Sequence, residues 1–388
     1  MKLFHLSDLH IGKQLNGYSL RESQEQIFQQ IIHYAQEEQP DAVLLCGDIY
    51  DKSIPSAEAV TVFDRFLTGL SEAAKQAEIL VISGNHDSPE RLSYASSFLS
   101  RHRIHIGALP PQTMDEFLTQ VTLTDAYGPV HFYLCPFLKP GYVRHLFEAG
   151  VVTDYDSAFH AVLSRETVNS AERNVLLAHQ FFTASGVHPE TCDSETSVLM
   201  AGGLDAIDIS ALEQFDYAAL GHLHGPQKVG EERFRYCGSP GIYSVSEEHH
   251  QKAVTVVELR AKGTPLLIRT LPLSAGRRVK RLSGSLEELV EMAADWKEDF
   301  VSLTLQEEQE PFDFREQLEE VYHRILEIRI ENERTRRKLQ EELGELEIPG
   351  PLEAFSRFYE AVRHCPMTEK QEQLMREIIT EAEEEEER

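Results

Sequence analysis

Residues 42–48, Ala42-Val43-Leu44-Leu45-Cys46-Gly47-Asp48, set five apolar side chains in a row and end them on a glycine and a carboxylate. An unbroken apolar run this short reads as a strand covered on both faces. The same pattern recurs along the chain. Leu3-Phe4-His5-Leu6 leads to Asp8-Leu9-His10, and Glu78-Ile79-Leu80-Val81-Ile82 leads to Gly84-Asn85-His86-Asp87. Asn174-Val175-Leu176-Leu177-Ala178 leads to a lone His179, and Tyr217-Ala218-Ala219-Leu220 leads to Gly221-His222-Leu223-His224. Between the first two runs Ile27, Ile31, Ile32 and Ala35 recur at helical spacing, and Val60, Phe63, Leu67 and Leu70 do so between the next two. Strand, helix, strand, helix predicts an α/β layered domain, a two-sheet core with flanking helices. In such sheets functional groups collect beyond the carboxyl ends of the strands, where all five donor clusters fall.

The donors are four imidazoles (His10, His179, His222, His224), two carboxylates (Asp8, Asp48) and one amide (Asn85), with no paired cysteines. Imidazole suits zinc, iron, copper and nickel, whereas carboxylate and amide oxygen suit harder ions. The mixed set fits manganese, iron or zinc without choosing among them. Seven ligands exceed one tetrahedral ion and suit two ions that share a carboxylate roughly 3.5–4 Å apart, as in two-metal hydrolytic sites. Asp8 and His10 alternate, as do His222 and His224, so each pair points to one side of an extended segment. Taken singly, each residue has a plainer reading: Asp8 or Asp48 as a turn or cap, Asn85-His86-Asp87 as a turn cluster, His179 as a core histidine. Their joint order is what sets them apart. His5, inside the first strand, is expected to pack, and His249-His250 to sit in a solvated loop.

Asp-x-His, Gly-Asp-x-x-Asp, Gly-Asn-His-Asp, a lone histidine and Gly-His-x-His, in that order, resemble the calcineurin-like metallophosphoesterases. Ser7–Lys13, Gly84–Leu92 and Tyr236-Cys237-Gly238-Ser239-Pro240 are similar to one branch, the SbcD nuclease subunits of bacterial SbcCD complexes. That resemblance implies a metal-dependent DNA nuclease, acting as a 3′–5′ double-strand exonuclease and single-strand or hairpin endonuclease in DNA repair, recombination and replication. It implies that Asp8, His10, Asp48 and His224 hold one ion and that Asp48, Asn85, His179 and His222 hold the other. Manganese comes first, with magnesium, iron or zinc as alternatives. His86 becomes the catalytic non-ligand that stabilises the pentacovalent phosphorus or protonates the leaving 3′ oxygen. Where archaeal and eukaryotic relatives carry a second histidine, this chain has Asp51, expected to orient His86. The resemblance also implies an SbcC-like coiled-coil ATPase as partner, DNA as substrate, and a homodimer within a heterotetramer.

The chain has 388 residues and a formal net charge of −28. Nucleic-acid binders usually carry a basic footprint, so the DNA grip is expected from bound cations, a partner and a few local bases: Arg91 first, then Lys13 and Lys52. Arg21, Arg101 and Arg103 are further candidates. No apolar run reaches eighteen residues, the first strand begins at once, and the five cysteines lack C-x-x-C spacing, so a cytoplasmic enzyme with no membrane span is expected. The layout predicts one domain over 1–275 and a small βαβαβ unit over 276–332, which the resemblance implies are the nuclease domain and the DNA-capping domain. A helical segment over 333–380, broken at Ile348-Pro349-Gly350-Pro351, and an acidic tail over 381–388 complete it; the resemblance implies that the helices dock on the partner, and the alternative is a hairpin folded back on the capping unit. Arg277–Arg281 reads equally as a DNA-facing cluster or a charge-protected edge strand. Two other classes compete: a free-standing phosphoesterase for nucleotides or phosphoproteins, and a non-catalytic scaffold. Two extra modules argue against the first, and the intact ligand set with His86 against the second. No P-loop signature occurs, so ATP dependence would come from a partner.

Overall fold

The structure, a computed structural model, describes residues 1–184, 187, 189–195, 206–337, 351–363, 365–368 and 370–376. Strands β1 (Lys2–Leu6), β2 (Ala42–Cys46), β3 (Glu78–Ile82) and β4 (Ile104–Gly107) run parallel in one sheet. A second sheet is built on β5 (Thr119–Asp125), β6 (Gly128–Cys135), β7 (Arg173–His179), β8 (Tyr217–Gly221), β9 (Gln227–Val229) and β10 (Glu231–Tyr236). Its order is β9-β10-β8-β7-β6-β5, parallel through β10, β8, β7 and β6. The hairpin β11 (Ala253–Glu258) and β12 (Leu267–Pro272) returns to the first sheet, whose order becomes β12-β11-β1-β2-β3-β4.

The continuous apolar runs are explained by what covers them. Ala42, Leu44 and Cys46 of β2 join Leu80, Ile82, Phe132, Leu134, Val175, Leu177 and Ala219 in a core between the two sheets. Val43 and Leu45, one residue out of phase, pack instead against α1 (Arg21–Glu38) and α2 (Ala57–Ala73). The second sheet buries Leu176, Ala178, Ala218 and Leu220 under α3 (Tyr155–Ser164) on its outer side. Helix, sheet, sheet, helix is the layered α/β fold expected.

One stripe is corrected. In α2 the buried residues are Ala59, Val62, Phe63, Phe66 and Leu70, whereas Val60 is 47% exposed. The helix starts at Ser56, whose side chain caps Ala59 N–H, and its face is set by the stacking of Phe66 on Phe28 at 4.5 Å. Contact with α1, which spacing within α2 cannot report, turned the stripe.

The carboxyl third holds a three-stranded parallel sheet of β13 (Val279–Gly284), β14 (Phe300–Leu305) and β15 (Ile325–Ile330), with α4 (Leu286–Trp296) and α5 (Phe314–Val321) between them. It leans on the segment after the first motif. Val279, Phe300 and Leu326 pack with Leu15, Leu20 and Tyr243, and Asn16 Nδ2 donates to the Leu326 carbonyl at 2.9 Å. β13 is an edge strand, and its bases are paired: Arg277 with Glu22, Arg278 with Asp299, Lys280 with Glu248 and Arg281 with Asp193. Helix α6 (Pro351–Arg363) follows, with Phe358 63% exposed. Residues 348–350, Ile378, Ile379 and the acidic run 381–388 lie outside the described residues. Among the described residues no helix is long and apolar enough to cross a membrane.

His5 packs as expected, fully buried between the sheets. Its Nε2 donates to the Leu220 carbonyl at 3.2 Å, so its Nδ1 is the acceptor for the Tyr217 hydroxyl at 2.8 Å. Burial lowers its pKa from the ordinary 6.5 to about 3. The unfolded chain takes up a proton near 6.5 that the folded chain refuses. This contribution to stability is therefore complete above that pH and drains as pH falls toward 3, by up to about 1.4 kcal/mol per unit. His5→Gln is expected to flatten the acid limb of denaturation measured between pH 7 and 4. An unchanged limb would show that His5 is not the group responsible.

Candidate metal centre

All seven predicted donors converge beyond the carboxyl ends of β1, β2, β3, β7 and β8. Ligand atoms of Asp8, His10 and His224 lie within 4.8 Å of one another, as do those of Asp8, Asp48 and His179, and of His10, Asp48 and His86. Asn85 Oδ1 is 3.1 Å from His179 Nε2 and 3.0 Å from His222 Nδ1. Asp48 sits at the middle. Its Oδ1 accepts the His86 N–H at 2.9 Å, while its Oδ2 faces His179 Nε2 at 3.4 Å and His10 Nε2 at 3.6 Å.

The backbone is bent to aim these groups. Asp8, His10, Asp48 and His222 have φ of 54°, 41°, 50° and 109°, the left-handed region that non-glycine residues rarely enter. Four donors in that state mark a site where surrounding contacts hold the chain against its preference. Asp8 N–H donates to the Gly47 carbonyl at 3.0 Å and His10 N–H to the Asp48 carbonyl at 2.9 Å, which locks the first motif to the second. The glycines before the donors are needed for close approach. A Cβ on Gly84 would collide with Asp48, and one on Gly221 with the Cys46 carbonyl.

Asp87, which spacing alone does not single out, ties the second and third motifs together. Its carboxylate accepts from Ile49 N at 3.1 Å, Tyr50 N at 2.9 Å and Gly84 N at 2.9 Å. Gln24 does similar duty for the first motif, donating to the Leu9 and His10 carbonyls at 3.1 and 2.8 Å. Glu195, Glu247 and Lys252 likewise escape a reading by motif. Glu195 accepts the His224 N–H, and Lys252 pairs with the buried Glu247 at 2.7 Å beside His224. Ser246-Glu247-Glu248-His249-His250 reads in sequence as a polar loop, so no local signal marks Glu247.

Electrostatically the cluster is unsatisfied by its own residues. Burial pushes Asp8 upward, and burial together with the Asp48 charge lifts Asp87 to about 6. Burial opposes a charge on His179, yet Asp48 and Asp8 pull it up to about 9, while burial with His179 beside it drops His222 to about 3. A proton on His179 thus stands between carboxylates. His10 Nε2 abuts His224 Nε2 at 3.1 Å, and the buried His10 Nδ1 has no hydrogen-bond partner. Facing nitrogens, crowded carboxylates and an orphaned imidazole atom fit divalent cations.

The remaining predicted residues surround this cluster. The His86 side chain is 27% exposed, against 2–3% for His10, Asp48 and His224, so it is the most accessible of these four. Asp51 meets His86 through its main chain. Its carbonyl, not its carboxylate, accepts from His86 Nδ1 at 2.9 Å; the carboxylate lies 3.0 Å from Lys13 Nζ and 3.6 Å from His10 Nδ1. Arg91 follows the third motif in a short helix, Pro89–Leu92, capped by Ser88. Arg91 and Lys52 are exposed and make no ion pair among the described residues, whereas Arg21 and Arg103 pair with Glu25 and Glu78.

Asp87→Ala would strand three buried N–H donors and is expected to lower folding stability by about 3 kcal/mol in denaturant titration. Asp87→Asn, which keeps an oxygen, should lose less. A loss under about 0.5 kcal/mol for the alanine variant would remove Asp87 as the pin between these loops.

The calcineurin-like phosphoesterase family matches residues 1–226, and a second family, described as the type 5 capsule protein repressor C-terminal domain, matches residues 276–363. The SbcD subunit of the SbcCD nuclease of Staphylococcus epidermidis is 31% identical over 75% of this chain and 74% of its own length. The protein of the same name from Staphylococcus saprophyticus is 26% identical over 98% of both. Solved structures are looser: GAP50, the anchor in the inner membrane complex of Plasmodium, shares 11% identity at a TM-score of 0.44 over 70% of this chain and 84% of that one. The chain belongs to the calcineurin-like phosphoesterases and, within them, to the SbcD subunits of SbcCD nucleases.

Proposed function

We propose that this chain cleaves phosphodiester bonds of DNA with two divalent cations held at the junction of its two sheets. It is a metal-dependent nuclease subunit of an SbcCD-type complex. The observation that carries the two-ion reading is the convergence of seven donors from five strand ends into one cluster, in which Asp48 Oδ2 faces both His10 and His179. Asp8, His10, Asp48 and His224 would hold one ion, and Asp48, Asn85, His179 and His222 the other, with Asp48 between them. Manganese is our first assignment, ahead of magnesium, iron and zinc. Ions bound there would activate water as a nucleophile near neutral pH and would offer positive charge to the phosphoryl oxygens.

The chain's own residues do the rest. His86 Nδ1–H is spent on the Asp51 carbonyl, so its Nε2 is the atom left for substrate. At the exposed rim of the cluster that atom can stabilise charge on phosphorus or, when protonated, give a proton to the leaving 3′ oxygen. Asp51 acts on His86 through its main chain and on Lys13 through its carboxylate. Arg91, Lys52 and Lys13 are the candidate contacts to the phosphate backbone. We assign 3′–5′ exonuclease action on duplex ends and endonuclease action on single strands and hairpins. Residues 1–275 form the nuclease unit and 276–332 the cap on the DNA. The helical segment 333–380, with Phe358 exposed on α6, docks on an SbcC-like coiled-coil ATPase. Two copies pair within a heterotetramer.

Asp48→Asn or His222→Ala is expected to abolish manganese-dependent cutting of duplex ends and hairpins, a loss of at least about 10³-fold. Wild-type rates in the double variant would sink the site. His86→Ala should keep two bound ions and DNA affinity while losing cleavage by about 10²–10⁴-fold; loss of metal instead would make His86 structural. Activity confined to a small chromogenic diester, with none on DNA, would favour a free-standing phosphoesterase. Removing residues after Pro349 should spare manganese-dependent nicking by the isolated chain and abolish ATP stimulation. Co-purification of the shortened chain with the ATPase would overturn the docking assignment.

A further inference from the structure

His224 is held at three points by residues from none of the metal-site motifs. Its N–H is taken by the Glu195 carboxylate. Its carbonyl receives Lys252 Nζ at 3.0 Å, and its Nδ1 meets Ser194 Oγ at 2.8 Å. The same hydroxyl lies 2.8 Å from Glu247 Oε1, whereas Glu247 itself reaches Nδ1 only at 3.4 Å. Lys252 completes its three N–H bonds on Glu247 Oε2 at 2.7 Å and Ser239 Oγ at 2.8 Å.

These contacts determine a tautomer. A carboxylate only accepts, so Ser194 gives its single proton to Glu247. The hydroxyl then offers His224 only lone pairs, and the imidazole must donate from Nδ1. In the neutral ring Nε2 is then left as a bare lone pair, and Nε2 is the atom aimed into the cluster, 3.1 Å from His10 Nε2. The pair is also sealed: the side chains of Glu247 and Lys252 are 0% and 4% exposed. A buried ion pair of this kind adds little to stability, since apolar groups of similar volume often do as well. Ligating histidines, by contrast, characteristically have their second nitrogen tied to a carboxylate or hydrogen-bonded group that fixes the ring.

We infer that Glu247 is a positioning residue for the cation on the His224 side: through Ser194 it fixes the imidazole with Nε2 free to ligate, and Lys252 clamps the carboxylate in place. The inference rests on the two-ion reading above. Neither Glu247 nor Lys252 meets substrate, so their effect is on metal affinity rather than on the reacting atoms.

Calorimetric titration of the metal-free full chain with manganese tests this. Wild type is expected to bind two ions; fewer would count against the two-ion reading itself and not against Glu247. Glu247→Met with Lys252→Met removes both charges at similar volume. It should melt close to wild type without metal, yet weaken one of the two ions by about 10–100-fold and leave the other unchanged. Glu247→Gln with Lys252→Met keeps an oxygen that accepts the Ser194 proton and should recover most of that affinity. Unchanged affinities in the folded methionine variant, or equal losses in both variants, would overturn the inference. A second measurement needs no variant to fold. Imidazole nitrogen-15 shifts of metal-free wild type, recorded at a pH where the His224 ring is neutral, should place its proton on Nδ1, and a neutral ring with its proton on Nε2 would overturn the inference.

Discussion

The Asp48 carboxylate is buried with a side chain 3% exposed, and its ion-pair partners among the described residues are imidazoles: His10, His179 and His86. Taking a carboxylate out of water costs several kcal/mol, which a cluster with the protonated His179 as its cation only partly offsets. The surroundings show that strain. Asp8 and Asp87 are driven upward, His179 holds a proton to about 9, and four donors sit in left-handed backbone. The arrangement makes sense as a mould for positive charge that the polypeptide itself does not provide, and the rest of the molecule holds that mould shut.

Holding it is the work of the fold. Two sheets, each parallel at its centre, end their strands along one rim, and the apolar core between them fixes the separation of those ends. Asp87 and Gln24 then pin the loops through main-chain atoms, and the absence of a Cβ at Gly84 and Gly221 allows the loops to touch. The small three-stranded unit packs on residues 15–20, directly after Asp8 and His10, so its position and that of the first motif are mechanically linked. In a chain with a net charge of −28, Arg91 and Lys52 are exposed near this rim and remain without an ion pair among the described residues.

Much of this was legible in the residues. Strands covered on both faces leave unbroken apolar runs, and donors at strand ends leave short polar clusters after them, so Asp8, His10, Asp48, Asn85, His179, His222 and His224 could be picked out together. Less was legible where a partner element decides. Val60 fits a helical period as well as Val62 does, and only α1 packing on α2 through Phe28 selects the buried face. Residue type suggests that Asp51 meets His86, and only the turn after Asp48 decides that it does so through its carbonyl. Arg277–Arg281, ambiguous as a basic run, is paired residue by residue with acids from four distant segments.

What the sequence by itself determined is the chemistry: which donor types are present, in what order, and that each stands at the end of a buried strand. Periodicity and residue type carry that information locally. What only the tertiary structure decided is the company each donor keeps. Ser194, Glu195, Glu247 and Lys252 come from stretches that look like ordinary polar loop, and they surround His224 because the chain passes that rim once before β8, with Ser194 and Glu195, and again after β10, with Glu247 and Lys252. Hydrogen-bond direction and proton position depend on atoms a few ångströms apart in space and dozens of residues apart in the chain, which no spacing rule along one segment can supply.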